Sequence, residues 1–376
     1  MIYLDAAATT LQKPSAVFRA AARAMETCAN PGRSGHAPAL RAAETVYACR
    51  EEAAAFFGMD DPARVVFTQN ATHALNLAIK SLLHDGGHCV ISGYEHNSVV
   101  RPLAAMEERG VTFTPAISPL FDPEGAVKAI RGAITPETKC VILNHVSNVF
   151  GYVLPLEQVD TLCAERGLPL VVDASQSAGV LPLDVRRLRS AAFVCMPGHK
   201  ALYGPQGTGI LLCCKDIPIY SILEGGTGSL SMETRQPGFL PDGLESGTLN
   251  VPGIAGLREG LRFVRTHREE IAGREKALLA RIAEGLGALE GVEVFSGAPQ
   301  SGVLSFRVKG ADPADTAEEL AKRGVCVRAG LHCAPLAHRS GGTLPEGTVR
   351  VSLSAFVTPK DGEGFLRILK DFLKSL

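Results

Sequence analysis

The sequence predicts an α/β fold built on a mainly parallel sheet. Between residues 64 and 215, short apolar segments alternate with segments whose apolar residues recur at helical spacing. The short segments are apolar at nearly every position, which indicates strands buried on both faces and covered by helices. The chain has 376 residues, enough for two or three domains, and a smaller α+β unit is predicted after the α/β region.

In the α/β region, each predicted strand is short and rich in Val, Ile, Leu, Phe and Cys. The predicted strands are RVVFT (64–68), HCVIS (88–92), KCVILNHVS (139–147), LPLVVDAS (168–175), AAFVCM (191–196) and GTGILLC (207–213). The predicted helices are ATHALNLAIKSLL (71–83), SVVRPLAAMEERG (98–110) and LEQVDTLCAERG (156–167). Strands that alternate with helices in this way favour parallel pairing.

The region after residue 251 has a different pattern. Residues 252–290 carry apolar side chains at helical spacing and predict a long connecting helix. Four strands are predicted next, VEVFS, GVLSFRVKG, GVCVRAG and GTVRVSLSAF. A helix is predicted to begin after Asp312-Pro313, and the last one at Thr358, where Asp361 completes a capping box.

Composition excludes several classes of protein. The chain has 38 basic and 39 acidic residues and a net charge of −1, which argues against a partner that is nucleic acid or an acidic membrane. No stretch approaches eighteen consecutive apolar residues, so no membrane span is predicted. The ten cysteines form no CxxC pair, and the N-terminus MIYLDAAATT lacks the basic start of a signal peptide. We therefore expect a cytoplasmic protein.

Polar residues follow the predicted strands at their carboxyl ends, where ligands bind in open α/β sheets. Lys200 lies in a glycine-rich loop after one strand, and Asp173 ends a neighbouring strand. A partly buried lysine can form a Schiff base, and an aspartate can hold a pyridinium nitrogen protonated. His96 could stack on such a ring, and the helix start at Thr72 suits a phosphate. Each residue alone could be a cap, a core histidine or a solvated loop residue; together they favour a pyridoxal phosphate site.

A second functional segment is VRAGLHCAPLAHRSGGTLPEGTVRVS (327–352). Cys333 lies here in a Gly/Pro-rich loop beside basic residues, a setting that favours a reactive thiol. Arg350 opens a strand and could bind a substrate carboxylate with two hydrogen bonds. The rival interpretation is a metal site made of His332, Cys333 and His338, although the spacing matches no standard zinc pattern.

Nine motifs, in order along nearly the whole chain, resemble one family. They are YLDAAATT (3–10), NPGRSGH (30–36), VFTQNATHALNLA (66–78), EHNS (95–98), HVSNVFG (145–151), VVDASQSAG (171–179), PGHKALYGPQGTG (197–209), ESGTLNVPGIAGL (245–257) and VRAGLHCAPLAH (327–338). The chain resembles the class V aminotransferase superfamily, and within it the cysteine desulfurases of the SufS/CsdA-like second group and their shorter bacterial relatives.

The resemblance implies a pyridoxal-phosphate-dependent transferase of fold type I. That fold has a mainly parallel seven-stranded sheet with helices on both faces and a smaller α+β C-terminal domain. It implies an N-terminal arm (1–15), a large cofactor-binding domain (16–255), and a connecting helix with the small domain (256–376). It also implies a homodimer with active sites at the subunit interface. Because this chain starts directly at the YLD motif, its dimer contacts and partner docking are expected to differ from those of typical SufS proteins.

The resemblance assigns cofactor contacts to residues of this chain. Lys200 would form the Schiff base with the cofactor, His96 would stack on its ring, Asp173 would pair with the pyridinium nitrogen, and Gln176 would contact the phenolic oxygen. The phosphate would be held by residues from the first helix start, from the lysine loop and from the other subunit: Ala71, Thr72, His199 and, across the interface, Thr248. Pro197 stands where SufS-like enzymes usually have Ser, which removes one phosphate-facing hydroxyl.

The implied reaction converts L-cysteine to L-alanine. Asn148 and Arg350 would orient the substrate carboxylate, with Arg328 at the entrance. Cys333 would take the sulfur as a persulfide and pass it to a protein sulfur acceptor, in iron–sulfur cluster or thiocofactor assembly. Two alternatives stay open: a selenocysteine lyase acting on L-selenocysteine with the same residues, and a cofactor-binding protein that relays sulfur or docks partners without turnover. No metal, nucleic acid or membrane is expected in any of them.

Overall fold

The computed structural model describes residues 1–32 and 34–374; Arg33 of the NPGRSGH motif and the last two residues lie outside this range. The strands are β1 (Ile2–Tyr3), β2 (Val65–Thr68), β3 (Gly87–Ser92), β4 (Val111–Ala116), β5 (Thr138–Asn144), β6 (Leu170–Asp173), β7 (Ala191–Pro197), β8 (Gly209–Cys213), β9 (Val292–Phe295), β10 (Val303–Val308), β11 (Val325–Cys326), β12 (Arg328–Gly330) and β13 (Thr348–Ser352).

The predicted helices, except the one over 98–110, begin and end close to their predicted positions. They are α1 (Ser15–Thr27), α2 (Ala37–Phe57), α3 (Ala71–Leu82), α4 (Asn97–Ala104), α5 (Pro123–Ala133), α6 (Leu156–Arg166), α7 (Val251–Gly287), α8 (Pro313–Lys322), α9 (Pro335–Ser340) and α10 (Pro359–Leu373). The predicted capping box at Thr358 is present, and the Asp312 carboxylate accepts the Ala314 N–H at 2.7 Å. None of the helices in the described residues has the length and apolar character needed to cross a membrane.

The central sheet has seven strands in the order β2-β8-β7-β6-β5-β3-β4. Strands β3 to β7 pair in parallel, whereas β8 runs antiparallel to both of its neighbours, β2 and β7. Alternate strand residues face two apolar layers, one with α2, α6 and the start of α7 and the other with α3 and α4. The predicted α/β class and the mainly parallel seven-stranded sheet are therefore confirmed.

One strand of this sheet was not predicted from the pattern of apolar residues. β4 lies within a segment where we predicted no strand, because its side chains alternate between buried and exposed and it contains Pro115. It is an edge strand, covered less than the others, and an edge tolerates proline. The helix predicted over 98–110 is correspondingly too long, since α4 ends at Ala104.

A four-stranded antiparallel sheet, ordered β12-β13-β10-β9, follows α7 and packs against α8 and α10. The predicted strand GVCVRAG is divided in two, because β11 pairs with β1 at the N-terminus while β12 pairs with β13. α7 runs without a break through the predicted domain boundary at residues 255 and 256, and the boundaries stay predictions. The N-terminal residues thus lie beside β11, which precedes Arg328, and beside β13, which carries Arg350.

Candidate active site

The carboxyl ends of the parallel strands form one cleft. Its lining consists of residues that end or follow β2, β3, β5, β6 and β7, namely Asn70, Ala71, Thr72, His96, Ser98, Asn144, Asn148, Asp173, Ser175, Gln176, Pro197, His199 and Lys200. Eight predicted site residues are among them. The topology places them together because parallel strands end at one edge of the sheet.

Lys200 and Asp173 are the charged residues at the centre of this cleft. Lys200 follows β7, and burial lowers the pKa of its amine to about 8, with Arg350 and Arg328 adding to the effect and Asp173 opposing it. Asp173 ends β6, is 2% exposed, and accepts the N–H of Ser175 at 2.9 Å. Burial raises the pKa of this carboxyl. The cleft therefore pairs an amine that is easily deprotonated with a buried carboxylate that forms no direct ion pair among the described residues.

His96 caps the first turn of α4. Its Nδ1 accepts the backbone N–H of Ser98 at 3.0 Å, so the neutral ring carries its hydrogen on Nε2. Burial, together with the nearby cations Lys200, Arg328 and Arg350, lowers the pKa of His96 to about 4. The imidazole is consequently neutral at physiological pH.

The start of α3 provides hydrogen-bond donors for an anion. Ala71 and Thr72 are its first two residues, whose backbone N–H groups lack partners within the helix. The Thr72 hydroxyl lies 2.8 Å from that of Ser98, which in turn lies 2.8 Å from His96 Nδ1. Ser98 was present in the EHNS motif but received no role from the sequence. Although Pro197 lacks a hydroxyl, Ser98 supplies one to this cleft beside that of Thr72.

Gln176 and His199 bind the N-terminal segment instead of standing free. The Gln176 amide donates to the carbonyl of Ala7 at 3.0 Å, and His199 Nδ1 lies 3.0 Å from the Thr9 hydroxyl. Burial lowers the pKa of His199 to about 4, so its ring is neutral. Both residues line the cleft, and the N-terminal segment fixes their orientation.

Thr248 is not brought into this cleft. It is exposed and lines a different cavity together with Gln69, His73 and Thr208. A contribution to the site of another subunit, as the resemblance implies, stays a prediction.

Cys333 lies beside the cleft on a loop with unusual backbone geometry. Both His332 and Cys333 have positive φ values, 50° and 56°. The carbonyl of Cys333 accepts the N–H of Asn97 at 2.7 Å, and that of His332 accepts the Asn148 amide at 2.8 Å. These two bonds attach the loop to the residue that follows His96 and to a predicted substrate ligand.

The thiol of Cys333 differs from the nine other cysteines of the chain. It is exposed, whereas six are buried and Cys28, Cys214 and Cys326 are half-buried. An N–H of Arg328 lies 3.7 Å from its sulfur. No group of His, Cys, Asp and Glu side chains in the described residues is placed to hold a metal ion. His332 and His338 instead contact each other, with Nδ1 and Nε2 3.4 Å apart.

Arg350 is a buried guanidinium, 1% exposed, in the middle of β13. It donates to the backbone carbonyl of Asn148 at 3.0 Å and to the carboxylate of Asp5 at 2.7 Å, while its Nε has no partner in the described part of the chain. Sequence reasoning missed Asp5 as part of the site. The YLD motif could have indicated it, since a charged residue stands there in an apolar segment.

These groups fit pyridoxal 5′-phosphate. The buried carboxylate of Asp173 suits a pyridinium nitrogen, the amine of Lys200 suits an aldehyde, and the start of α3 suits a phosphate. The side-chain oxygen of Asn148 is buried without a partner among residues 1–32 and 34–374, which leaves it available to a ligand.

The family model for aminotransferase class-V matches residues 2–365. This chain belongs to the aminotransferase class-V family. Class-V aminotransferases depend on pyridoxal 5′-phosphate, so the cofactor predicted from the sequence is confirmed at the level of the family.

Several relatives of this class-V chain carry the name cysteine desulfurase. A "Probable cysteine desulfurase" of Methanothermobacter thermautotrophicus is 33% identical, over 96% of this chain and 92% of the relative. The apo structure of cysteine desulfurase from Thermococcus onnurineus NA1 is 31% identical, with a TM-score of 0.90 over 100% of this chain and 95% of that one. CsdA from Escherichia coli, in an S-sulfonic acid form, is 28% identical, with a TM-score of 0.84 over the same shares. The predicted resemblance to cysteine desulfurases is confirmed.

Proposed function

We propose that this chain is a pyridoxal-phosphate-dependent L-cysteine desulfurase that forms a persulfide on Cys333. The observation that carries the proposal is the attachment of the Cys333 loop, since the Cys333 carbonyl accepts the N–H of Asn97, the residue next to His96. This bond holds an exposed thiol beside the cleft that contains Lys200. The names of the relatives support cysteine as the substrate.

Each residue has a role in the proposed mechanism. When bound, pyridoxal 5′-phosphate supplies an aldehyde that takes up the substrate amine and a ring that withdraws electrons from its Cα. Asp173 would hold the ring nitrogen, and the neutral imidazole of His96 would lie against the ring. Arg350 and Asn148 orient the substrate carboxylate. Lys200, whose pKa is lowered to about 8, accepts the Cα proton on its Nζ.

The sulfur transfer balances without an external oxidant. The Sγ of Cys333, as thiolate, attacks the sulfur of the substrate, so that an S–S bond forms while the C–S bond breaks. The electron pair of the broken bond stays with the carbon fragment, which gains a proton at Cβ and becomes alanine. The sum is enzyme thiol plus cysteine giving enzyme persulfide plus alanine. An acceptor thiol then takes the terminal sulfur and restores the Cys333 thiol.

Replacing the nucleophile tests this proposal. In Cys333→Ala, release of both sulfide and alanine from L-cysteine should collapse, whereas the half-buried Cys326→Ala serves as the matched control and should retain activity. If Cys333→Ala releases alanine from cysteine at the wild-type rate, the persulfide mechanism is wrong. Selenocysteine assayed in parallel distinguishes a lyase, in which cleavage persists in Cys333→Ala. Wild-type protein that binds the cofactor but turns over neither amino acid would indicate a relay or docking protein.

We extend the proposal to a homodimer in which Thr248 contributes to the site of the partner subunit. Two helices carry exposed apolar side chains seven residues apart, namely Phe18 and Met25 on α1 and Leu40 and Tyr47 on α2. Exposed apolar faces of this kind are typical of a surface that another subunit covers. Mixing Lys200→Ala with Thr248→Ala protein tests it. If Thr248 acts across the interface, hybrid dimers contain one intact site and regain activity, whereas action within one subunit gives no recovery.

The proposed setting is the cytoplasm, with the sulfur delivered to iron–sulfur cluster or thiocofactor assembly. Ten free cysteines, most of them buried, are consistent with a reducing compartment. The test follows ³⁵S from labelled cysteine, through Cys333, into protein acceptors of a cell extract. If the ³⁵S label stays on Cys333 whichever thiol protein is added, a role in sulfur delivery is contradicted.

A further inference from the structure

We infer that Asp5 is a positioning residue that holds the Arg350 guanidinium in place and thereby makes the site select substrates with an α-carboxylate. The inference rests on the proposed function, because it takes Arg350 as the ligand of the substrate carboxylate. It concerns a residue of the N-terminal segment that no step of the mechanism uses.

The guanidinium of Arg350 is fixed from two directions. Its Nη2 donates to the Asp5 carboxylate at 2.7 Å, and its Nη1 donates to the backbone carbonyl of Asn148 at 3.0 Å. The two acceptors belong to different parts of the chain, so together they set the plane of the planar guanidinium group. With five N–H donors available, these bonds leave Nε and one hydrogen on each terminal nitrogen for a ligand. Nε is buried and has no hydrogen-bond partner among the residues that the structure describes.

Asp5 is itself held firmly. The N–H of Leu4 donates to the carbonyl of Cys326 at 2.9 Å, and the Leu4 carbonyl accepts the N–H of Ser352 at 2.8 Å. The N–H of Ala7 donates to the Ser352 hydroxyl at 2.8 Å. The chain on both sides of Asp5 is thus bonded to β11 and β13, and Asp5 forms a bridge with Ser352, two residues from Arg350. Asp5 is therefore an anchored carboxylate and not a mobile surface charge.

The charge of Asp5 matters because the surroundings are cationic. The positive charges of Arg350, Arg328 and Lys200 repel one another. The Asp5 carboxylate stabilises the charged forms of both Arg350 and Lys200. A buried cation without a counter-charge is strongly destabilised. Without Asp5, the guanidinium would have one fixed acceptor, the Asn148 carbonyl, and would be free to rotate about that bond.

The consequence is a preference for ligands that have an α-carboxylate, and this preference can be measured. A substrate carboxylate binds only if the free N–H groups of Arg350 point into the cleft, and a ligand without a carboxylate does not depend on them. L-Alanine and L-alaninamide are a matched pair, since the amide keeps the amine and the Cα but lacks the negative charge. Their binding is read from the absorbance of the bound cofactor in the holoenzyme, without turnover.

We expect wild-type holoenzyme to bind L-alanine more tightly than L-alaninamide. Asp5→Ala should reduce the ratio of the two affinities by about 10-fold or more, the usual effect of losing a charged hydrogen bond. Asp5→Asn keeps an acceptor oxygen without the charge and should recover part of the ratio. For L-cysteine turnover, KM should rise much more than kcat falls. Tyr3→Phe, which removes a hydroxyl that binds the backbone of the same segment, is the control and should keep the wild-type ratio.

A folded Asp5→Ala variant that keeps the wild-type ratio overturns the inference, as does a wild-type enzyme with no preference for alanine over the amide. A merely structural role would weaken both ligands equally and leave the ratio unchanged. Failure of the proposed function is seen separately, since it appears as absence of alanine release from cysteine by the wild type. The ratio of the two ligands still reports on Asp5 in that case.

Discussion

The backbone N–H of Asn97 lies 2.7 Å from the carbonyl oxygen of Cys333, and this bond joins the start of α4 to the loop that carries the exposed thiol. Asn97 is the first residue of that helix, and His96 before it is extended, with φ −75° and ψ 157°. The first helical position tolerates proline, and an extended residue suits the position before proline. The donor can therefore be removed without disturbing the helix.

We predict that Asn97→Pro loosens the Cys333 loop and lowers cysteine turnover about 2- to 10-fold, the usual effect of one hydrogen bond. Amide hydrogen exchange of residues 331–334 should accelerate in parallel. Asn97→Ala is the matched control because it loses the side chain but keeps the N–H. Equal activity in the two variants would show that the bond has no role in placing the thiol.

A second prediction concerns Arg328, whose N–H lies 3.7 Å from the sulfur of Cys333. A guanidinium facing a sulfur stabilises the negative charge of a thiolate, the reactive form. Arg328→Gln should slow alkylation of Cys333 by iodoacetamide at pH 7 by several-fold, as followed by mass spectrometry of the labelled peptide. Arg339→Gln, at an exposed position on α9, should leave the rate unchanged. An unchanged rate in Arg328→Gln would remove Arg328 from the activation of the thiol.

The sequence predicted the central sheet well where burial is complete. Strands such as β5 and β7 are apolar on both faces, and short apolar segments between helices are typical of such covered strands. β4 was missed because an edge strand is covered less and shows alternation instead of a continuous apolar run. GVCVRAG was predicted as one strand because a residue pattern does not reveal that its two halves pair with different partners.

In the site, the residue positions that could be predicted are those that follow from the order of the strands in the sheet. Asp173 and Lys200 follow neighbouring parallel strands, so their proximity follows from the strand order. The contacts of Asp5 with Arg350 and of Asn97 with Cys333 join residues far apart along the chain. They depend on the paths of the N-terminal segment and of a loop with positive φ, which no residue pattern specifies.

The lowered pKa of Lys200 predicts how the apoprotein takes up its cofactor. Only the neutral amine attacks an aldehyde, and the pKa of about 8 means that the neutral fraction rises as pH increases and levels off above 8. Uptake of pyridoxal 5′-phosphate, followed by absorbance between pH 7 and 10, should show a midpoint near 8. A midpoint near the ordinary lysine value of about 10.4 would contradict this. Lys13→Gln controls for a neighbouring lysine whose pKa burial also lowers to about 8.

A buried ion pair connects α2 to the segment that carries Thr248. Glu245 accepts from Arg50 at 2.8 Å and from the N–H of Phe67 at 2.6 Å. Arg50→Met would leave this carboxylate buried without its cation and should cost about 3–5 kcal/mol in the free energy of unfolding. Arg281→Met removes an exposed pair with Glu363 of similar length and should cost less than about 1 kcal/mol. Chemical denaturation measures both.

The double variant Arg50→Met with Glu245→Gln completes the comparison. Neutralising Glu245 removes the uncompensated charge, so stability should recover in part. If Arg50→Met costs no more than Arg281→Met, the pair contributes nothing beyond an ordinary surface contact.

The last prediction concerns Glu275, a carboxyl on α7 that is 5% exposed, with one oxygen that has no hydrogen-bond partner within the described chain. Burial raises its pKa from 4.5 to about 7. The folded state therefore binds more protons than the unfolded state between these values, and stability falls as pH rises through that window. The loss amounts to roughly 3 kcal/mol by pH 8.

Glu275→Gln cannot ionise and should lose this pH dependence, so that it is more stable than wild type at pH 8 but not at pH 5. Unfolding of the apoprotein at both pH values measures the difference, with the exposed Glu284→Gln on the same helix as control. A variant with the same pH dependence as wild type would show that Glu275 is not the titrating group.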